Sequence, residues 1–208
     1  MPFVLASAAG WPHAPWFRPE DDPASSLLMT AGIAAGVLRL GLDHPWLGPA
    51  SDYCWARMSD ASADGAYTLR FAIDFLDAVP DRRRADAELE ALAGRVPADG
   101  VVRVKAGAEG EALRPLDLAP RPDHAARRLF DDAAIERELD RLAGEQRPDG
   151  GWTFGWEAWN PAVASEWRGA VTVAALRTLG AYGRAPRGDH RYPASPAVAP
   201  SRSTTSTM

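Results

Sequence analysis

The chain has 208 residues, 46% of them hydrophobic and 25% charged, and this composition excludes a disordered protein. A formal net charge of −5 gives no field that attracts nucleic acid, so we expect no nucleic-acid partner. The single cysteine, Cys54, excludes an intramolecular disulfide and suits a reducing compartment, and we therefore expect a cytoplasmic protein.

The N-terminal region predicts neither a signal peptide nor a membrane span. The first residues lack a basic segment followed by an apolar run. The longest apolar stretch, 27–40, is shorter than the roughly 20 residues that a spanning helix needs. Within it, Gly32 and Gly36 lie about one helical turn apart, which predicts a buried helix whose backbone closely approaches a neighbour.

The first half of the chain predicts four helices joined by short connections, which favour antiparallel hairpins. Their predicted ranges are 25–40, 45–58, 67–79 and 81–96. The third helix carries an apolar stripe and, on its other side, a charged row. We interpret that row as a solvated face, because Arg70 stands four residues before the first acid. The row consists of Arg70, Asp74, Asp77 and Asp81.

Residues 97–122 interrupt the helical pattern with glycines and prolines, and the run 101–104 predicts a short strand or hairpin arm. Carboxylates on this excursion are the candidate catalytic acids, with Asp117 as the first candidate and Glu111 beside it. If this excursion is a loop that folds over the apolar opening of a ring of helices, burial would raise the pKa of its carboxyl groups. In the alternative interpretation Arg114 and the backbone satisfy these groups, and the segment only covers a ring of helices.

The second half predicts helices at 131–145 and 161–182, followed by a segment rich in Pro, Ser, Thr and Arg. With almost nothing to bury, 185–208 is predicted to be a disordered tail, which leaves 1–184 as the folded domain.

One motif follows the helix at 131–145. Residues 146–152 spell Q-x-x-x-G-x-W, from Gln146 to Trp152. A similar Pro-x-Asp-Gly turn occurs at Pro97, about 50 residues earlier and also after an amphipathic helix. We interpret it as a decayed copy of the same turn.

The Q-x-x-x-G-x-W segment resembles the QW repeat of the squalene-hopene cyclase and oxidosqualene cyclase families. That resemblance implies an α/α-toroid of helical hairpins, as in terpenoid cyclases and protein prenyltransferases. In those families the Gln ties off a helix end and the Trp packs over the neighbouring hairpin. A complete toroid has more helices than are predicted here, so we expect an incomplete one. The chain resembles the C-terminal portion of a larger protein with further repeats upstream.

The acid motifs that the resemblance implies are missing from the sequence. No D-x-D-D occurs, and the one plausible start of D-D-x-x-D, at Asp131, has Ile135 in its last position. The pairs Asp21-Asp22 and Asp131-Asp132 stand before predicted helices, where acids are expected from capping and the helix dipole.

Prenyltransferase β-subunits hold zinc with Asp-x-Cys and a distant His, and Asp52, Cys54 and His124 match that pattern in letters. A cysteine between two aromatic residues is more typical of a buried small hydrophobe. We therefore predict no metal and no cofactor.

Aromatic residues concentrate around the motif, and we predict Trp152, Trp156, Trp159 and Trp167 as ligand-binding residues. Aromatic rings form rigid apolar walls and stabilise cations. The same rings could instead join hairpins as structural staples. That interpretation is favoured for Trp152, while Trp156 and Trp159 stay open between the two roles.

Two functional hypotheses follow. The first is an isoprenoid-handling protein of the terpene-cyclase or prenyltransferase type, which acts on or binds a polyprenyl substrate. The second is a non-catalytic relative that binds a lipid-like ligand or a partner protein. In either case an open apolar rim predicts a homodimer or contact with further repeats.

Overall fold

The computed structural model describes residues 1–14, 17–61, 65–105, 107, 109–156 and 158–184. Within these ranges the protein is all-α with one short β excursion, as predicted. The strands β1 (Val102–Arg103) and β2 (Ala112–Leu113) pair antiparallel. Seven helices make up the rest of the regular structure, apart from short 3₁₀ turns: α1 (Leu27–Arg39), α2 (Leu47–Arg57), α3 (Ala66–Ala78), α4 (Arg82–Ala93), α5 (Pro115–Leu118), α6 (Asp132–Gly144) and α7 (Pro161–Ala181).

Helix α3 is the centre of the core. It packs on α1, α4, α5 and the 3₁₀ turn Ala125–Leu129, and α1 also packs on α2. Its side chains Ile73, Phe75 and Leu76 are fully buried. The close approach predicted at the α1 glycines is confirmed at Gly32, where an added Cβ would lie 2.9 Å from the ring of Phe71, but the prediction is wrong at Gly36, where an added Cβ would have no atom within 4 Å.

Helix ends follow from polar caps. Asp81 accepts a hydrogen bond from Arg84 N at 3.1 Å, and Asp131 accepts one from Ala134 N at 2.6 Å, so both acids cap helices as expected. The prediction was wrong for Asp21-Asp22, because Ser26 is the N-terminal boundary of α1 and the acid pair lies exposed several residues earlier.

The excursion after α4 packs into the core and does not form a loop over an opening between helices. Val104 N donates to Glu111 O at 2.9 Å and extends the β1–β2 hairpin. Behind it Leu113, Leu116 and Leu118 are buried in the same cluster as α3. The Leu-x-x-Leu-x-Leu spacing of these residues supplies the apolar contacts that order the segment, so the predicted loop around Asp117 is a packed helical turn.

The predicted recurrence of the turn is seen in the structure, and the recurrence includes the helix before each turn; we call 81–102 the first repeat and 131–152 the second repeat. In each, a helix capped by Asp is followed by a turn whose glycine has a positive φ: 72° at Gly100 and 84° at Gly150. In each turn, the Asp before the glycine accepts a hydrogen bond from the backbone N–H of the residue after the glycine. The distances are 3.0 Å for Asp99 and 3.1 Å for Asp149. The same local sequence thus forms the same turn twice.

The two repeats also bury equivalent residues. Ala85 and Leu89 of α4 are buried, and so are Ile135 and Leu139 at the equivalent positions of α6. The spacing of four residues places each pair on one helix face. Helix, cap and turn therefore recur together, and this recurrence is compatible with a helical-repeat architecture.

Helices α6 and α7 form the last hairpin. The end of α7 lies beside the middle of α6, because Arg184 pairs with Asp140 at 3.2 Å. Tyr182 Oη donates to Ala119 O at 2.9 Å and ties the end of α7 to the segment after α5. The buried residues of α7 lie in its C-terminal part: Ala175, Thr178 and Leu179. The predicted tail, 185–208, lies outside the described residues.

Candidate functional site

The Q-x-x-x-G-x-W segment forms a closed turn between α6 and α7. Gln146 Nε2 donates to Gly150 O at 3.0 Å, and Gly150 N donates to Arg147 O at 2.9 Å. The glutamine therefore closes its own turn, whereas the resemblance implied that it ties off a helix end. Gly150 is needed here because its φ of 84° lies in the left-handed region.

Trp152 joins the two helices of the hairpin. Its indole Nε1 donates to Leu142 O at 2.8 Å, and its backbone N donates to Thr172 Oγ1 at 2.9 Å. The residue is only 3% exposed. This carbonyl lies in the last turn of α6 and also accepts a hydrogen bond from Glu145 N at 3.3 Å, so the indole is a second donor to it. These contacts match the staple interpretation, and the ligand-binding role of Trp152 stays a prediction.

Three aromatic rings meet beside the start of α7. Phe154 and Trp156 stack with centroids 4.7 Å apart and planes at 30°. Trp156 meets Trp167 edge-on, at 5.3 Å and 89°. We call Phe154, Trp156 and Trp167 the aromatic cluster. Phe154 and Trp156 are half-buried and Trp167 is 45% exposed, so the cluster presents two perpendicular ring planes at the surface.

The aromatic cluster stands where α7 extends past the end of α6. Thr172, near the middle of α7, lies at the turn that ends α6, and the buried residues of α7 all come after it. The turn is held there by an ion pair between Arg168 and Asp149 at 2.6 Å. This pair and the Gly151 N–H lower the pKa of Asp149. The cluster is therefore held by its own turn and helix.

Trp159, also predicted to bind ligand, lies next to the aromatic cluster in sequence. It is 42% exposed, and in the described part of the chain it forms no ring pair. It immediately precedes Asn160, whose side-chain oxygen accepts a hydrogen bond from Val163 N at 2.9 Å and caps α7. Its role as a ligand contact stays a prediction.

The candidate acids lie in a separate polar group next to α3. Tyr67 Oη donates to Glu111 Oε1 at 2.6 Å, and Arg114 N donates to Asp117 Oδ2 at 2.8 Å. Burial raises the pKa of Asp117, and the Arg114 N–H opposes that rise only partly. Burial and the bond to Glu111 also raise the pKa of Tyr67. The Arg114 backbone thus satisfies one Asp117 oxygen, as the structural alternative proposed.

The charged row on α3 is not a solvated face, and that interpretation was wrong for its two central acids. The Asp77 side chain is only 5% exposed and meets Arg39 at 3.1 Å and Arg121 at 2.5 Å. Ala125 N also donates to it at 2.8 Å. Burial opposes the ionisation of Asp77, but these donors outweigh it and lower its pKa.

Asp74 is held in the same way, one turn earlier. Arg39 donates to it at 3.0 Å, and the fully buried His124 lies 3.4 Å away. Burial opposes ionisation of Asp74, yet the bonds from His124 and Arg39 lower its pKa. The arginines and the histidine come from distant parts of the chain, so sequence spacing along α3 gave no signal for this network.

Asp52, Cys54 and His124, which match the zinc pattern in letters, do not form a metal-binding group among the described residues. No group of three or more His, Cys, Asp or Glu there is placed to hold a metal ion. His124 is used by the α3 acids, while Cys54 is fully buried. Burial raises the pKa of the Cys54 thiol to about 12.

An apolar hollow of about 370 Å³ lies apart from these groups, in the N-terminal segment. Phe3, Leu5, Trp11 and Phe17 are among its lining residues. Phe3 and Phe17 meet edge-on with centroids 5.7 Å apart. This hollow is a second apolar surface that a ligand could use.

In comparisons with known proteins, no protein-family model, curated protein or solved structure matches the chain. Among the described helices, none is both long and apolar enough to span a membrane.

Proposed function

We propose that the chain is a helical-hairpin scaffold that binds an apolar ligand of the polyprenyl class at the aromatic cluster. The observation that carries the proposal is the arrangement of Trp156 between Phe154 and Trp167. One neighbour stacks on it at 4.7 Å and the other meets it edge-on at 89°. Two perpendicular ring faces form a corner that fits the side of a thin, branched hydrocarbon chain.

Several features support the polyprenyl class. Aromatic side chains offer large apolar area at low entropic cost, and their faces attract developing positive charge. The adjoining Q-x-x-x-G-x-W turn resembles the repeat of the squalene-hopene and oxidosqualene cyclases. The 50-residue recurrence from Asp81 to Asp131 supports a repeat array, and we propose that this array belongs to an α/α-toroid.

Binding without catalysis is the form of this function that the residues favour. Asp117 and Glu111 are held in the polar group beside α3, by Arg114 N and by Tyr67 Oη, whereas the aromatic cluster is built on the second turn and α7. A carboxylic acid that protonates a substrate must reach the reacting atom.

The test is quenching of intrinsic tryptophan fluorescence by farnesol and by squalene added to the full chain. We expect saturable quenching of the unmodified protein. Trp156→Ala and Trp167→Ala should each weaken the apparent affinity about tenfold, because each removes one wall of the corner. Their melting temperatures should stay within a few degrees of the parent, since both rings are partly exposed.

Two further variants separate this site from its neighbours. Trp159→Ala tests the remaining predicted contact, and we expect a change in affinity of less than about threefold because its ring stands outside the cluster. Trp11→Ala tests the N-terminal hollow and should leave the affinity unchanged. Binding that only Trp11→Ala removes would place the ligand in the hollow, and no saturable quenching by either compound would exclude a polyprenyl ligand.

A further inference from the structure

Helix α7 exposes an apolar face on the side away from α6. We define its outer face as Glu166, Gly169, Ala170, Val173, Leu176, Arg177 and Gly180, which are all exposed. Val173, at its centre, is 47% exposed. These positions follow one another at three- and four-residue steps, so they form one stripe along the helix. A helix that is apolar on this face as well as on its packed face is normally covered on both.

Two opposite charges stand on this stripe without partners. Glu166 and Arg177 are both exposed, and neither forms an ion pair with any described residue. Their neighbours differ in this respect, because Arg168 pairs with Asp149 and Arg184 pairs with Asp140. Glu166 and Arg177 are 11 positions apart, or about three helical turns, which puts them on the same side of α7.

The stripe is complementary to itself when two copies run antiparallel. A two-fold axis midway between Ala170 and Val173 places Ala170 opposite Val173 of a second copy. The same axis is midway between Glu166 and Arg177, so each Glu166 faces Arg177 of the other copy. One operation thus pairs the apolar centre and both charges, as an isologous interface requires. Small residues at Gly169 and Gly180 let the two helices approach closely.

We propose that the outer face of α7 is a homodimer interface in which two copies of this chain pair antiparallel through α7. The two Glu166–Arg177 pairs flank the apolar centre and set the register and orientation, the role that charged flanking residues have in paired helices. None of the seven outer-face residues belongs to the aromatic cluster, so the experiments on this interface and on the proposed ligand site test two independent proposals.

The experiment is sedimentation velocity of the full chain over a concentration series. We expect a reversible monomer–dimer equilibrium. Glu166→Arg alone puts arginine opposite arginine, and Arg177→Glu alone puts glutamate opposite glutamate. Each single variant should weaken dimerisation by about tenfold or more, because like charges face each other at both ends of the interface.

The decisive experiment mixes the Glu166→Arg variant with the Arg177→Glu variant. In the mixed dimer both charge pairs are again opposite in sign, so we expect heterodimers as strong as the parent homodimer. The double variant carrying both changes should also dimerise like the parent. Val173→Asp should abolish the dimer, since it sets two carboxylates beside the two-fold axis. Circular dichroism and the melting temperature confirm that each variant is folded.

Matched controls are Glu90→Arg and Arg83→Glu on α4, which make the same charge changes at exposed positions remote from α7. Both should dimerise like the parent. A chain that is monomeric at every concentration overturns the proposal and leaves the outer face to a different partner. A dimer that ignores the α7 variants, or that mixing fails to restore, overturns it as well.

Discussion

The two repeats begin alike and end differently. Both have an Asp-capped helix and a turn with glycine at positive φ, but the first reaches Val102 where the second reaches Trp152. After Val102 the chain folds back as a hairpin into the core around α3. After Trp152 it forms the aromatic cluster and the largely exposed α7. The turn is therefore a reusable structural unit, and the residues that follow it decide whether the next segment is buried.

The largest effect should come from making the second turn like the first, with Trp152→Val. The change removes the indole that fills the space between α6 and α7, and it leaves Leu142 O with only one of its two donors, Glu145 N. We expect a loss of about 3 kcal/mol in the free energy of unfolding. The matched change Val102→Ala should cost only about 1 kcal/mol. Urea unfolding measures both, and equal losses would mean that Trp152 is not the staple of the last hairpin.

The glycine of the first turn gives the next contrast, with Gly110 between β1 and β2 as its control. Gly100→Ala should cost about 2–3 kcal/mol, because its Cβ would lie 2.8 Å from Pro115 in addition to the strain of a positive φ. Gly110→Ala meets the same kind of backbone strain at a φ of 77°, but its added Cβ would have no atom within 4 Å, and we expect a loss of about 1 kcal/mol. Thermal unfolding ranks the two variants, and the opposite order would show that the first turn is not packed against α5.

The segments after the turns also differ in how they are anchored. Arg121 and Ala125, which follow the first turn, bind the buried Asp77, so Asp77→Asn should cost about 2 kcal/mol at neutral pH.

The pKa of Asp77 is lowered in the folded protein, so its stabilising contribution is complete above the unfolded pKa of about 3.9. It is lost as the pH falls through the lower, folded pKa. Urea unfolding between pH 7 and pH 3 should therefore show the gap between parent and Asp77→Asn shrinking below about pH 4. A gap that does not change with pH would contradict the role of the ionised carboxylate.

The helix caps should respond equally in the two repeats. Asp81 and Asp131 each accept a backbone N–H three residues on, and we expect Asp81→Ala and Asp131→Ala to cost about 1 kcal/mol each. Urea unfolding of the single variants and of the double variant tests whether the two losses add. Losses that differ by more than about 1 kcal/mol would break the equivalence of the repeats.

The smallest effect concerns the ion pair between Asp149 of the second turn and Arg168 of α7. Arg168 and the Gly151 N–H hold the pKa of the exposed Asp149 below its ordinary value. Arg168→Gln should raise that pKa towards the ordinary aspartate value with little change in stability, as NMR titration of the side-chain carboxyl would show. An unchanged pKa would mean that the ion pair is not formed in solution.

Sequence patterning predicted the order of the long helices and most of their bounds to within a few residues. It also predicted the short strand at Val102–Arg103 and the repeat of the turn. These features depend on neighbours along the chain: apolar spacing, an Asp before each helix, and a glycine that permits a positive φ. It did not predict α5 as a helix, because a turn that contains Asp117 and begins at a proline carries no periodic signal of its own.

The sequence by itself determined the all-α class, the repeat and the Trp-rich turn, because local steric and hydrogen-bonding rules suffice for them. Only the tertiary structure decided that Asp74 and Asp77 are largely buried ion partners, since Arg39 and Arg121 reach them from distant segments. It also decided which tryptophans are used internally and which face outward. Burial depends on what packs across from a residue, and a pattern along one helix does not contain that information.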